Sequence, residues 1–378
     1  MRILFSAVQV FGHLYPMLPL ARAFRARGDE VAFLGPHSVR QILAGEDFEV
    51  ITAGPEVPHL VAELVSRTGQ DPLAGAISAE TEAELFAGVR VDLSFDDALA
   101  AARQWGADLI VGDVYDCLGP LVASVLNVRF GTVTLGPALL PVQNAALRSR
   151  VTLRYQALRV TPRRPLFVAD SCPPLLQSAQ WEKPEGWLPL RPEAYHAPGG
   201  SPVTTVRHDN GKRPQVLLTF GTLFGAPKVL GPLINDIAML DVDLRVTLGP
   251  IANPEDFDVE HDRVRFEPFR PLAELLSDVD VVVNHAGAGT TIGALAAGVP
   301  LVLLPQGADQ FTVAERAAAS GAARRLLPDE ITPGRLRDAV TGVLTSPEFR
   351  DSAAKVAAQI ADMPTASDVA AKITMLLD

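Results

Sequence analysis

The chain is poor in cysteine: Cys117 and Cys172 are the only two in 378 residues. Two cysteines build no disulfide framework, and no Cys/His cluster has the spacing of metal ligands. No apolar run reaches the length of a membrane span. The N-terminus runs directly into Arg2-Ile3-Leu4-Phe5, which reads as a first strand and not as a secretion signal. A soluble, cytoplasmic protein is the expectation. An excess of positive charge is also missing, with 33 Lys and Arg against 44 Asp and Glu and a formal charge of −11. That balance argues against non-specific nucleic-acid binding and against an anionic membrane surface. Any anionic ligand must then be held by local backbone geometry and a few side chains. Short repeats and low-complexity tracts are lacking as well.

What the chain does have is apolar bulk in short, spaced pieces. Hydrophobic residues make up 48% of it, enough for real cores, and the length suggests two domains. Residues 3–8, 30–35, 48–53, 108–113 and 129–134 read as strands, with helical spacing over 15–27. Residues 56–104 are less regular and include an acidic helical stretch around Glu80 and Glu84. The basic residues from Arg148 to Arg164 read as a solvated helix face. Residues 186–214 are rich in Pro, Gly and charge, the composition of a linker. Strand-like runs then restart at 216–220, 242–248, 264–267, 279–284 and 300–305. Strands alternating with helices imply βαβ units and parallel sheets. The expected fold is α/β, with two Rossmann-like domains facing each other across a cleft. They span residues 1–195 and 214–362, joined by a linker at 196–213. Ligands of such sheets sit at the carboxyl ends of the strands, so the loops just after strands are where chemistry is sought.

The richest of these loops follows residues 279–284. It reads Asn284-His285-Ala286-Gly287-Ala288-Gly289-Thr290-Thr291 and leads into an apolar helical segment. Glycines let the backbone approach a bulky anion, and a new helix presents unpaired N–H groups and a partial positive charge. This is the pattern of a diphosphate seat. A third glycine, Gly293, comes one residue later than in the usual dinucleotide fingerprint, and Asp309 lies about 20 residues on, where that fingerprint wants an acid. The segment by itself admits a nicotinamide or flavin dinucleotide, a nucleotide-sugar, or glycines that serve only close packing.

Three other strand-end loops carry candidate groups. His13, in Gln9-Val10-Phe11-Gly12-His13-Leu14-Tyr15-Pro16, is placed to act as a general base, or to cap or pack a helix. Asp113 ends residues 108–113 and is suited to fix the tautomer of a histidine. Asp116 fits the N-terminus of the helix near Leu118 better. Gly221-Thr222-Leu223-Phe224-Gly225 allows close approach to a phosphate or sugar. Gln306-Gly307-Ala308-Asp309-Gln310 sets an acid beside an amide, a fork suited to vicinal hydroxyls or to a helix start. The Asp241/Asp243 and Asp278/Asp280 pairs have a spacing that some sugar-transfer enzymes use for a divalent ion, but both read as turns entering strands.

Taken together, these motifs resemble the inverting GT-B glycosyltransferases of bacterial natural-product biosynthesis, above all those that attach deoxysugars to antibiotic aglycones. The resemblance spans the whole chain and includes Leu218-Thr219-Phe220-Gly221-Thr222, Phe266-Glu267-Pro268-Phe269 and Asp362-Met363-Pro364. It implies that His13 deprotonates the acceptor hydroxyl, with Asp113 behind it and Phe11 and Gly12 beside the acceptor. It implies a donor site of Gly221, Thr222, Phe266, Glu267, His285, Gly287, Ala288, Gly289, Thr290, Asp309 and Gln310. Phe266 would stack on the base, Asp309 and Gln310 would hold the sugar, and His285 would offset the leaving charge. Residues 363–378 would form a helix that crosses back to the N-terminal domain. Two positions depart from the family pattern: Asn284-His285-Ala286-Gly287 stands where His-His-Gly-Gly is common, and Phe266 replaces a tryptophan.

The resulting expectation is transfer from a dTDP-sugar to a hydroxyl of an apolar aglycone, with no cofactor and no metal. A UDP-sugar donor or C-glycosyl transfer is the alternative on the same fold. A nucleotide-sugar epimerase, a non-enzymatic binding protein and an NAD(P)-dependent enzyme rank below it. A second copy of the chain is admitted as a partner. The acceptor pocket is expected from residues 55–95 and 134–150.

Overall fold

A computed structural model describes residues 1–6, 8–72, 75–200, 212–221, 226–249, 253–259 and 262–377. They divide into two compact units. The first holds Met1–Cys172, Ala179–Arg191 and the chain from Pro364 onward; the second holds Pro173–Ser178 and Pro192–Met363.

In the first unit β1 (Arg2–Ser6), β2 (Glu30–Gly35), β3 (Glu49–Thr52), β4 (Leu109–Asp113), β5 (Arg129–Val133), β6 (Val168–Asp170) and β7 (Trp187–Pro189) form one parallel sheet. Its order is β3-β2-β1-β4-β5-β6-β7. Helices cover both faces of such a sheet, so inner strands are apolar throughout instead of alternating. Accordingly β1 is buried from Ile3 to Ser6 and β4 along its whole length. The strand order reverses between β1 and β4. Connections leaving the carboxyl ends of these two strands diverge, and open α/β sheets bind ligands in the crevice this leaves. Register pairs Ser6 with Gly112, which brings the segment after β1 beside Asp113.

The segment after β1 is not the loop expected at 9–16. Val10 is extended and precedes a helical turn, Phe11–Leu14, followed by a 3-10 turn, Tyr15–Met17, and the helix Leu18–Ala26. Pro16 and Pro19 have no N–H for the preceding turn, so the stretch passes from α to 3-10 and back. The last helix, Ala366–Leu377, packs on Leu18–Ala26. Arg27 Nη2 donates to Thr374 Oγ1 at 3.2 Å, and the Arg191 N–H donates to the Pro364 carbonyl at 2.8 Å.

The second unit has β8 (Gln215–Thr219), β9 (Asp243–Thr247), β10 (Val264–Glu267), β11 (Val281–Asn284), β12 (Leu301–Leu303) and β13 (Ala323–Arg325). They run parallel in the order β10-β9-β8-β11-β12-β13. Here the order reverses between β8 and β11, where Thr219 pairs with Asn284.

Residues 192–200 are not a free linker. The Tyr195 carbonyl accepts the Ala273 N–H at 3.0 Å, and buried Ala194 lies against Gly293, where an added Cβ would come within 3.1 Å of the alanine Cβ. Pro and Gly mark an irregular path there, but the path is docked on the second unit, and the units divide between Arg191 and Pro192 instead of at 195. Residues 201–211 of the expected linker lie outside the described residues. The excursion Pro173–Ser178 had no signal in composition; it is tied to the second unit by the Leu175 N–H, which donates to Gln359 Oε1 at 2.8 Å. No helix among the described residues is long and apolar enough to cross a membrane.

Candidate active site

The turn Phe11–Leu14 presents His13 to the end of β4. His13 Nδ1 lies 3.1 Å from Asp113 Oδ2, and the Asp113 side chain is fully buried. The other carboxylate oxygen, Oδ1, accepts the Tyr115 N–H at 2.7 Å. Asp113 is thus fixed from two sides, and its contact with Nδ1 favours the tautomer that leaves Nε2 as the basic nitrogen. Phe11 meets Tyr15 edge-on with ring centroids 5.2 Å apart, and Gly12 is exposed. The rings of Phe86 and Tyr115 stand 5.8 and 5.7 Å from the imidazole and 4.8 Å from each other. Phe86 falls within the segment expected to face the acceptor. Tyr115 was not expected; its only signal is its place two residues past the strand end.

Phe86 is carried by a π-helical turn, Glu84–Val89, which runs directly into the helix Arg90–Trp105. This irregular element stood unread in the sequence, because a π turn leaves no simple periodicity. Buried Arg90 at its end pairs with Asp116. Asp116 also accepts the N–H groups of Leu118 and Gly119, the helix-start role its position suggested. The basic stretch from Arg148 is likewise partly occupied, since Arg150 pairs with Glu84 and Arg154 with Asp92.

In the second unit the sheet reversal carries the glycine loops. Gly287 precedes the helix Ala288–Ala296, whose first-turn N–H groups, on Ala288, Gly289 and Thr290, have no carbonyl one turn back. The glycines around this loop do different things. A Cβ on Gly287 would lie 2.7 Å from His285 Nε2, and one on Gly221, whose φ is +66°, would lie 3.0 Å from His285 Cε1. These two make room for the His285 ring. Gly289 is exposed, with nothing within 4 Å of an added Cβ. Of the three, only Gly289 is left small without a protein reason. Thr222 lies outside the described residues.

His285 is buried, beside Phe220 at 5.8 Å between centroids. Burial pulls its pKa down to about 4, against a hydrogen bond to the Thr219 backbone that pulls it up. At neutral pH the ring is therefore uncharged, and what His285 can offer a departing diphosphate is a hydrogen bond. Asn284 takes on the loop itself, its Oδ1 accepting the Ala286 N–H at 2.6 Å and lying 3.4 Å from Thr291 Oγ1. Ala286 has a φ of +65°, a left-handed value that costs an alanine and explains why glycine is common there.

Asp309 precedes the helix Gln310–Ala319 and makes no side-chain cap. Gln310 is buried, and its Oε1 accepts the N–H groups of Gln306 and Gly307 at 2.8 and 3.1 Å. Half of the expected fork is therefore spent on shaping the loop. The Phe266 ring packs on Phe257, 5.4 Å between centroids, at the border of the core, and the Glu267 carboxylate pairs with Arg270 at 3.0 Å. Asp241 pairs with Arg213 and Arg263, and Asp280 accepts the Gln215 N–H, so these acids hold strand entries.

Residues 232–376 match the family model of the erythromycin biosynthesis protein CIII-like C-terminal domain. The chain is 30% identical to the L-demethylnoviosyl transferase of Streptomyces niveus, over 98% of this chain and 97% of that one. It belongs to the GT-B glycosyltransferases of antibiotic deoxysugar biosynthesis. Among solved structures, this glycosyltransferase resembles SnogD from Streptomyces nogalater, with a TM-score of 0.80 and 28% identity over 100% of this chain and 99% of that one. It also resembles SsfS6 from Streptomyces sp. SF2575, solved with thymidine diphosphate, with a TM-score of 0.79 and 25% identity over 99% of each chain. Gly221 and the Gly287–Gly289 loop of the glycosyltransferase's second unit, and the His13–Asp113 pair of its first, lie at the two sheet reversals.

Proposed function

We propose that this glycosyltransferase inverts the anomeric centre, works without a metal, and moves a deoxysugar from a dTDP-sugar to a hydroxyl of an apolar aglycone. The observation that carries this reading is the 3.1 Å contact between His13 Nδ1 and buried Asp113. His13 Nε2 takes the acceptor proton while the acceptor oxygen bonds to the anomeric carbon. The bond from that carbon to the diphosphate oxygen breaks, and its electron pair leaves with dTDP. Asp113 stabilises the imidazolium that forms. The first-turn N–H groups of Ala288, Gly289 and Thr290 receive the growing diphosphate charge. That donor set needs no bridging cation, and the Asp241 and Asp280 carboxylates are engaged by protein groups. The choice of dTDP over UDP is supported by the thymidine diphosphate bound to SsfS6. Asp309 and the Gln310 amide are the groups assigned to the sugar. Phe86, Tyr115 and Phe11 are assigned to the acceptor.

Incubation with a panel of dTDP- and UDP-sugars and apolar natural-product aglycones, with NMR of the product, tests the reading. An O-glycoside of inverted anomeric configuration, formed from the dTDP donor in EDTA, is expected. Retention of configuration, or loss of transfer in EDTA with recovery on adding magnesium, would overturn it.

A further inference from the structure

Two carboxylates, not one, are buried where β4 ends. Asp113 and Asp116 are 2% and 4% exposed, three residues apart, and only Asp113 touches His13. The Asp116 side chain fills a slot between two glycines, where a Cβ on Gly112 or Gly119 would lie 2.4 or 2.5 Å from its Oδ2. There it meets the guanidinium of Arg90, itself 4% exposed, whose Nη2 also lies 3.5 Å from Ser6 Oγ at the end of β1. A guanidinium cannot shed its charge. Buried where β4 ends, it needs a full counter-ion, and Asp113 is the other buried carboxylate at that strand end.

We infer that Asp116 is a positioning residue of the transfer reaction, which holds the Arg90 charge so that Asp113 serves His13 alone. The inference rests on the reading of His13 as the base. The groups around the imidazole are Asp113 and Tyr115 from the end of β4, Phe86 from the π turn, and behind them Asp116, Arg90 and Cys117. Burial pushes Cys117 up to about 12, so it is a neutral thiol and contributes no charge. With the Asp116 charge removed, Arg90 becomes an uncompensated cation buried at the same strand end as Asp113. It disfavours imidazolium formation and competes for the carboxylate that orients the ring.

Asp116→Asn keeps the shape and the acceptor for the Leu118 and Gly119 N–H groups while removing the charge. Turnover should fall by about tenfold or more, the acid limb of the kcat/KM profile should move to lower pH by about 1 unit, and dTDP affinity should be unchanged. The double variant R90M/D116N removes both charges and should recover turnover to within a few-fold and return the limb to its native position. If Asp116→Asn does not fold, the double variant decides alone: a folded enzyme with the native limb supports the inference. An unshifted limb in Asp116→Asn, or a double variant that stays inactive, overturns it. If His13→Ala retains native turnover, it is the reading of His13 that fails, and this result is separate from either of those.

Discussion

Burial takes His285 to about 4, against its ordinary 6.5. The sign of the consequence follows from proton counting. Between these two values the unfolded chain binds a proton at His285 and the folded chain does not. Stability therefore rises with pH across that window, is fully present above about 6.5, and is lost as pH falls to about 4, by on the order of 3 kcal/mol. Denaturant unfolding at several pH values should show this acid-side loss, and His285→Asn should flatten it. An equal slope in the variant would mean that other groups carry the effect. The residue scale is also where the sequence was most uneven. His13 and Asp113 were legible because a titratable group directly after an apolar strand is conspicuous. Arg90 and Tyr115 were not: one sits where the π turn passes into a helix, the other looks like any loop aromatic, and both gain meaning only from what packs beside them. Gln310 was legible as a loop amide, but no pattern shows that its Oε1 is taken by two backbone N–H groups.

At the scale of the element, the loop from β11 into the helix Ala288–Ala296 separates two kinds of glycine. Gly287→Ala drives a methyl group onto the His285 ring and should destabilise the enzyme by about 1–3 kcal/mol, read as a lowered Tm. A Cβ on Gly289 would have no atom of another residue beyond its own turn within 4 Å, so in Gly289→Val Tm should nearly hold while dTDP affinity falls by at least about tenfold, as calorimetry would read it. Unchanged affinity in Gly289→Val would reduce the loop to a packing device. Strands were read well where an apolar run is sharply bounded by polar residues or turns, even at the edge position of β10. The expected 30–35 and 264–267 coincide with β2 and β10, and the runs ending at Asp113 and Asn284 end there in the structure. Of the three-residue strands, β12 lies inside the apolar run 300–305 and was legible, whereas β6, β7 and β13 were not, their apolar character broken by Asp170, by Pro189 and by Arg324 and Arg325.

For the whole molecule, the alternation of apolar runs made the α/β class and the two parallel sheets legible, but not the order of their strands. That order is what gives the site residues a common logic: each sheet reverses once beside its first strand, and each reversal carries one set of groups. The division of the chain was harder to read. Residues 192–200 look like a linker by composition yet dock on the second unit, and Pro364 returns the chain to the first. The unit that carries His13 contains none of the glycine-loop residues, so base and donor seat should be separable by mutation. The most direct measurement of the central claim is the single-turnover rate of His13→Ala with saturating donor, set beside its dTDP affinity. The rate should fall by about 10²–10⁴ with donor binding unchanged, and Asp113→Asn should lose less. A near-native rate for His13→Ala would contradict the account.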